Sequence, residues 1–132
     1  MIAQYWDETK DVLAKEIVSD WPAFLELVRR TETGSSGRGI PAIELSDDKD
    51  ATCIFIRFEG GGCTVATGDS KGLAWPVEFN NGGCEYVHYD YFGSWSEVPA
   101  DLVIPREKAL AAVKSFLETG DISPSVLLLV RE

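Results

Sequence analysis

The chain has 132 residues, 45% of them hydrophobic and 11% aromatic, which places it outside the disordered class and suffices for one domain that buries about two thirds of its unfolded surface. Twelve Lys and Arg against 22 Asp and Glu give a formal charge of −10 and a sequence pI near 4.5. A field of that sign disfavours direct binding to nucleic acid or to an anionic bilayer and suits a basic protein partner, its ordinary alternative role being to keep a cytosolic protein in solution.

Residues before Ser19 fit a strand or a helix equally well. Trp21, Phe24, Leu25 and Val28 then recur at i, i+3, i+4 and i+7 and predict a helix. Ser19 or Asp20 serves as its cap, Pro22 sits where a missing N–H costs nothing, and Glu26 and Arg30 are spaced to pair. The glycine-rich segment Thr33 to Gly39 ends it in a loop. From Ala42 the period changes to two, with Ile54, Ile56 and Phe58 on one face of a strand and Cys53, Phe55, Arg57 and Glu59 on the other. Turn chemistries at 47–50, 59–62, 68–72 and 80–83 separate predicted strands near 42–47, 52–60, 63–68, 73–79 and 84–92, the spacing of an antiparallel meander. A second helix opens at Pro105, carries the stripe Ala109, Leu110, Val113, Phe116 and Leu117, and stops at Gly120. A last strand is expected over Ser125 to Arg131, its run Val126 to Val130 being far too short to cross a membrane. The sum is a single α+β domain over 1–132, a mostly antiparallel sheet of five to six strands with two principal helices packed on it.

Between Lys71 and Arg106 there is no Lys or Arg, while five acidic residues (Glu78, Glu85, Asp90, Glu97, Asp101) and seven aromatic ones fall in the same stretch. If 84–92 is one strand, Cys84, Tyr86, His88, Asp90 and Phe92 share one face and Glu85, Val87, Tyr89 and Tyr91 the other. Both faces then carry aromatics, so some stand exposed beside carboxylates as on protein-binding surfaces, or serve as cross-strand pairs within the sheet. The candidate contact residues are Asp69, Glu78, Glu85, Tyr86, Tyr89, Asp90, Tyr91, Trp95 and Glu97. Carboxylates would steer association and rings would anchor it.

Catalytic and cofactor signatures are sparse. The three cysteines, Cys53, Cys63 and Cys84, have no C-x-x-C spacing, and His88 is the single histidine, so no metal site is expected. Cys84 and His88 would share a strand face but lie about 13 Å apart, too far for a nucleophile and its base. The loop Gly34 to Gly39 lacks the lysine and the strand context of a phosphate loop, and Asp47, Asp48 and Asp50 lack the calcium-loop spacing. An odd cysteine count, with no secretory leader in Met1 to Val18, points to a reducing cytoplasm. Two other readings stay open. One is a small enzyme or ligand-binding domain with a pocket lined by Tyr86, His88, Asp90 and Trp95; the other is a subunit of a larger assembly using Val126 to Val130 as an edge strand.

The segment Gly93 to Gly120, with an acidic residue and Val before Pro99, the helix start Ile104-Pro105, an alanine-rich helix and Phe116-Leu-Glu-Thr-Gly120, resembles the closing segment of the Immunity protein 1 family of bacterial toxin systems. It departs from that pattern after Gly120, where Asp121-Ile-Ser-Pro124 replaces an Arg-Pro pair. The resemblance implies a small cytoplasmic protein without catalysis or cofactor. It would bind and neutralise the C-terminal domain of a cognate toxin, a basic nucleic-acid-directed enzyme such as a nuclease or deaminase. No nucleic acid or membrane partner is implied, and the protein would be a monomer or weak dimer. Pro99, Ile104, Pro105, Phe116 and Gly120 then read as scaffold.

Overall fold

The computed structural model describes residues 1–7, 10, 12–34, 42–47, 51–57, 62–69, 72–76, 86–91, 94–99, 103–127 and 129–131. In chain order the elements are β1 (Ile2–Asp7), β2 (Val12–Ile17), α1 (Trp21–Gly34), β3 (Ile43–Ser46), β4 (Thr52–Arg57), β5 (Cys63–Asp69), β6 (Gly72–Pro76), β7 (Tyr86–Tyr91), β8 (Ser94–Pro99), α2 (Arg106–Thr119) and β9 (Leu129–Arg131). Seven strands form one sheet in the order β2-β1-β3-β4-β5-β6-β9, every pair antiparallel, and β7 and β8 form a separate two-stranded ribbon. The α+β class, the antiparallel sheet and the two helices packed on it agree with the sequence.

The sheet is larger than the sequence suggested, because the ambiguous N-terminal residues form a hairpin. In β1 the alternation is decisive: Ala3 is fully buried and Tyr5 packs against the core, while Ile2, Gln4 and Trp6 take the other face. The hairpin is closed at its open end by Val18, whose N–H donates to the Met1 carbonyl at 2.8 Å.

One face of the sheet carries both helices. Ala3, Ile43, Leu45, Cys53, Phe55 and Val65 meet Phe24, Leu27 and Val28 of α1 and Ala109, Ala112, Val113 and Phe116 of α2. Phe24 and Phe55 cross edge to face with centroids 5.8 Å apart, and Trp21 stacks on Phe24. On the opposite face Ala42, Ile54, Ile56 and Ala66 are buried too, with Leu73, Trp75 and Val103 packed against them. Thus β4 is covered on both sides, which is why its sequence reads as a nearly continuous apolar run. A two-way bridge between Cys63 and Ile104 ties the chain ahead of α2 to the start of β5. Gly62 permits this approach, since a Cβ there would overlap Val103 Cγ1.

Helix boundaries follow local chemistry. Asp20 is the cap of α1, its Oδ1 accepting the Ala23 N–H at 2.9 Å. Pro105 precedes α2, and Gly120 ends it in the left-handed region at φ 81°, its N–H donating to the Phe116 carbonyl at 2.7 Å. The apolar face of α1 is rotated from the expected one. Phe24, Leu27, Val28 and Thr31 are buried, and Leu25 is 39% exposed. The hydroxyl of Thr31 donates to the Val28 carbonyl at 2.8 Å, so the stripe tolerates a polar residue. The expected pair between Glu26 and Arg30 is replaced by two others: Arg29 Nε donates to Glu26 at 3.0 Å, and Arg30 reaches Glu16 on β2. The last strand is also shorter than expected. Val126 and Leu127 both donate to the Ser123 carbonyl in a turn that buries Leu127, and β9, over Leu129–Arg131, pairs with β6.

Candidate interaction surface

Strands β7 and β8 gather six of the nine candidate residues. Their register sets Tyr86 opposite Pro99, His88 opposite Glu97, and Asp90 opposite Trp95. Directly opposed residues share a face of an antiparallel pair, so Tyr86, His88, Asp90, Trp95 and Glu97 belong to one face. Tyr89 and Tyr91, opposite Ser96 and Ser94, belong to the other. Only Phe92 and Gly93 separate the two strands in sequence, the length of the tightest hairpin connections. Asp69 is exposed at the end of β5, opposite Gly72, and therefore sits on the larger sheet rather than on the ribbon. Glu78 and Glu85 lie outside the described residues, as do Cys84, Asp48, Asp50 and most of the Gly34 to Gly39 loop. The ribbon approaches the main sheet at β1.

A second surface escaped the sequence reading. The β1–β2 register pairs Ile2 with Ile17 and Trp6 with Leu13, on the face away from the helices. Ile2 is 48%, Leu13 43% and Ile17 78% exposed, three of the large apolar side chains that stand open among the described residues. Its signal was the alternation of Ile2, Gln4 and Trp6 with Ala3 and Tyr5, which is legible only once a strand is assumed. At the end of the sheet where β1 begins and β2 and β3 finish, Met1, Ile2, Ile17, Ser46 and Asp47 line an open pocket of about 400 Å³.

On the helix side of the same hairpin, Glu16 is held by two partners. Tyr5 Oη donates to it at 3.1 Å and Arg30 Nη1 at 3.3 Å. Burial raises the Tyr5 hydroxyl pKa, and the Glu16 carboxylate raises it further, while Arg30 is stabilised in its charged form by the same carboxylate. This cluster is internally satisfied and reads as a strut between α1 and the hairpin. The Asp47 carboxylate accepts the Ala51 N–H at 3.1 Å, closing the β3–β4 connection as a turn residue does.

The thiols are sequestered. Cys53 and Cys63 are buried, and burial pushes the Cys53 thiol pKa well up, the reverse of what a nucleophile requires. They stand across from Thr67 and Arg57 respectively, about four residues apart along the sheet and too distant for a disulfide. Among the described residues no three His, Cys, Asp or Glu side chains come together as metal ligands would, and no helix is long and apolar enough to cross a membrane.

An antiparallel sheet carrying two helices on one face, with a separate two-stranded ribbon that bears six of the candidate residues, defines a small α+β domain. The chain matches the family Immunity protein Imm1 over residues 3–129, nearly its whole length, and belongs to that family. The family is one of immunity proteins, which implies a toxin as partner and a role other than catalysis. No curated protein matches the chain.

Proposed function

We propose that this protein binds the C-terminal domain of a cognate bacterial toxin and neutralises it by occupying its active-site region or a neighbouring surface. The toxin is a nucleic-acid-directed enzyme, a nuclease or deaminase, and the complex forms in the cytoplasm without a cofactor. The family match over residues 3–129 is the observation that carries this reading. The ribbon supports its location: Tyr86, Asp90, Trp95 and Glu97 fall on one face, within a stretch that has no Lys or Arg between Lys71 and Arg106.

The physical logic is complementarity. An enzyme that handles a polyanion has a basic cleft, which attracts an acidic surface over long range and is blocked by it at contact. Asp69, Glu78, Glu85, Asp90 and Glu97 steer the encounter; Tyr86, Tyr89, Tyr91 and Trp95 supply rigid apolar area once water is expelled. The test is binding to the domain encoded by the reading frame immediately upstream, at low and high salt, with its toxicity measured in parallel. Tight, salt-sensitive binding that abolishes toxicity is expected. Absence of binding overturns the reading and directs a small-ligand screen to the face shared by Tyr86, His88, Asp90 and Trp95.

A further inference from the structure

We infer that the open edge of β2 is a docking strand: an extended segment of the toxin domain adds to the sheet there, with an acidic residue facing Lys15 and apolar ones facing Leu13 and Ile17. This rests on the immunity reading above. Strand β2 ends the seven-stranded sheet, so among the described residues it pairs with β1 alone. Which main-chain groups it leaves open follows from the hydrogen bonds at the end of the hairpin. Met1 and Val18 exchange two of them, the Val18 N–H donating to the Met1 carbonyl at 2.8 Å and the Met1 amino group to the Val18 carbonyl at 3.0 Å. In an antiparallel pair such doubly bonded partners alternate with pairs whose N–H and C=O groups point apart. Along the register, Glu16, Ala14 and Val12 therefore turn these groups to β1, and Ile17, Lys15 and Leu13 turn theirs outward. All three outward residues are exposed, and no hydrogen bond among the described residues engages their main-chain groups.

An open edge is a template for another strand, and proteins shield it by shortness, proline, bulges or lysine. Strand β2 is six residues long, has no proline and keeps an unbroken register with β1, so Lys15 is its guard. The other end of the sheet is shielded by shortness, since β9 has three residues. The lysine acts against a second copy of this chain. A two-fold pairing that used all three outward residues would set Lys15 against itself, between two molecules that each carry a charge of −10. A foreign strand with a carboxylate at that position meets no such penalty and gains a cross-strand ion pair. Main-chain bonds then supply affinity and the alternate side chains supply specificity, as in strand addition generally.

The test is residue-resolved amide exchange of the full chain, free and bound to the upstream-encoded toxin domain, with titrations and thermal melts of two variants. In the free protein the amides of Leu13, Lys15 and Ile17 should exchange readily and those of Ala14 and Glu16 slowly; in the complex the first three should slow about tenfold or more. Lys15→Pro removes one outward N–H and no bond to β1, a change that edge strands tolerate, whereas Lys15→Glu keeps the N–H and reverses the charge. Each should weaken binding about tenfold or more at unchanged melting temperature. The Lys15→Glu result separates docking from steering, because an added negative charge would by itself strengthen attraction to a basic domain. Failure of the wild-type protein to bind overturns both this inference and the immunity reading. Binding that leaves the three amides unprotected overturns the edge alone, as does wild-type affinity in either variant. Protection already present in the free protein, with a dimer in sedimentation, gives the edge to a second copy and overturns the toxin as its occupant. Should Lys15→Pro melt early, the wild-type exchange pattern and Lys15→Glu decide.

Discussion

Phe116 sits at 1% exposure on α2, which packs on β4 and β5, and belongs to the same core cluster as Val113. Truncating it removes about a whole aromatic side chain from a core shared by both helices. Phe116→Ala should cost about 3 to 5 kcal/mol in a denaturant melt. A loss below about 0.5 kcal/mol would mean that this face of α2 is not core. Cys53 offers a gentler probe of the same core. It is fully buried, and burial holds its thiol protonated well above neutral pH. Thiol reagents react through the thiolate, so native protein should leave Cys53 unmodified at pH 8 and label it fully in denaturant. Peptide mapping by mass spectrometry reads this out, and rapid native labelling would contradict the sheet register that places Cys53 opposite Thr67.

At the scale of elements, α1 separates what the sequence reveals from what it hides. Its existence and limits are local matters, set by the Asp20 cap and by Gly34, the residue at which the helix ends. Its rotation is not local, because Trp21, Phe24 and Val28 are compatible with either Leu25 or Leu27 completing the stripe. Contact with Phe55 on β4 decides for Leu27, and leaves Leu25 about 100° round the helix from the buried centre. Leu27→Ala should therefore cost about 2 to 5 kcal/mol and Leu25→Ala less than about 1 kcal/mol, compared by denaturant melts. Equal losses would restore the stripe read from sequence. The same distinction explains the N-terminal hairpin. Val12 to Ile17 leaves Val12, Leu13 and Ile17 exposed, so its apolar residues do not mark a buried face, and its strand character comes from pairing with β1, which is itself held by the distant β3. The candidate site was legible to the same degree. Alternation identified β7 and its two faces, whereas the partner that places Trp95 and Glu97 beside Asp90 and His88 follows only from the register with β8. Asp69 was grouped with them by charge alone, and the fold gives it to a different sheet.

For the whole molecule the deciding quantity is the distribution of charge. Among the described residues several cations are engaged locally, Arg29 with Glu26, Arg30 with Glu16 and Lys114 with Glu118, so they neutralise neighbours within a few ångströms and do little to the distant field. The surplus of acidic residues remains, and the stretch between Lys71 and Arg106 contributes to it without any compensating cation. A basic toxin domain of the kind proposed would experience that field before any contact forms, whereas dissociation would begin from a state in which the charges are close and partly shielded from salt. Association and dissociation must then respond differently to ionic strength. Raising salt from about 0.02 M to 0.5 M shrinks the screening length from about 20 Å to about 4 Å, which should slow association with the toxin domain at least about tenfold and change dissociation by less than about threefold. Converting Asp90 and Glu97 together to Lys should lower the association rate at low salt and flatten its salt dependence, since both belong to one face of the ribbon. Stopped-flow mixing with the labelled toxin domain measures both rates. An association rate indifferent to salt would show that steering plays no part, and the ribbon's carboxylates would then have to act, if at all, through contacts made after the encounter.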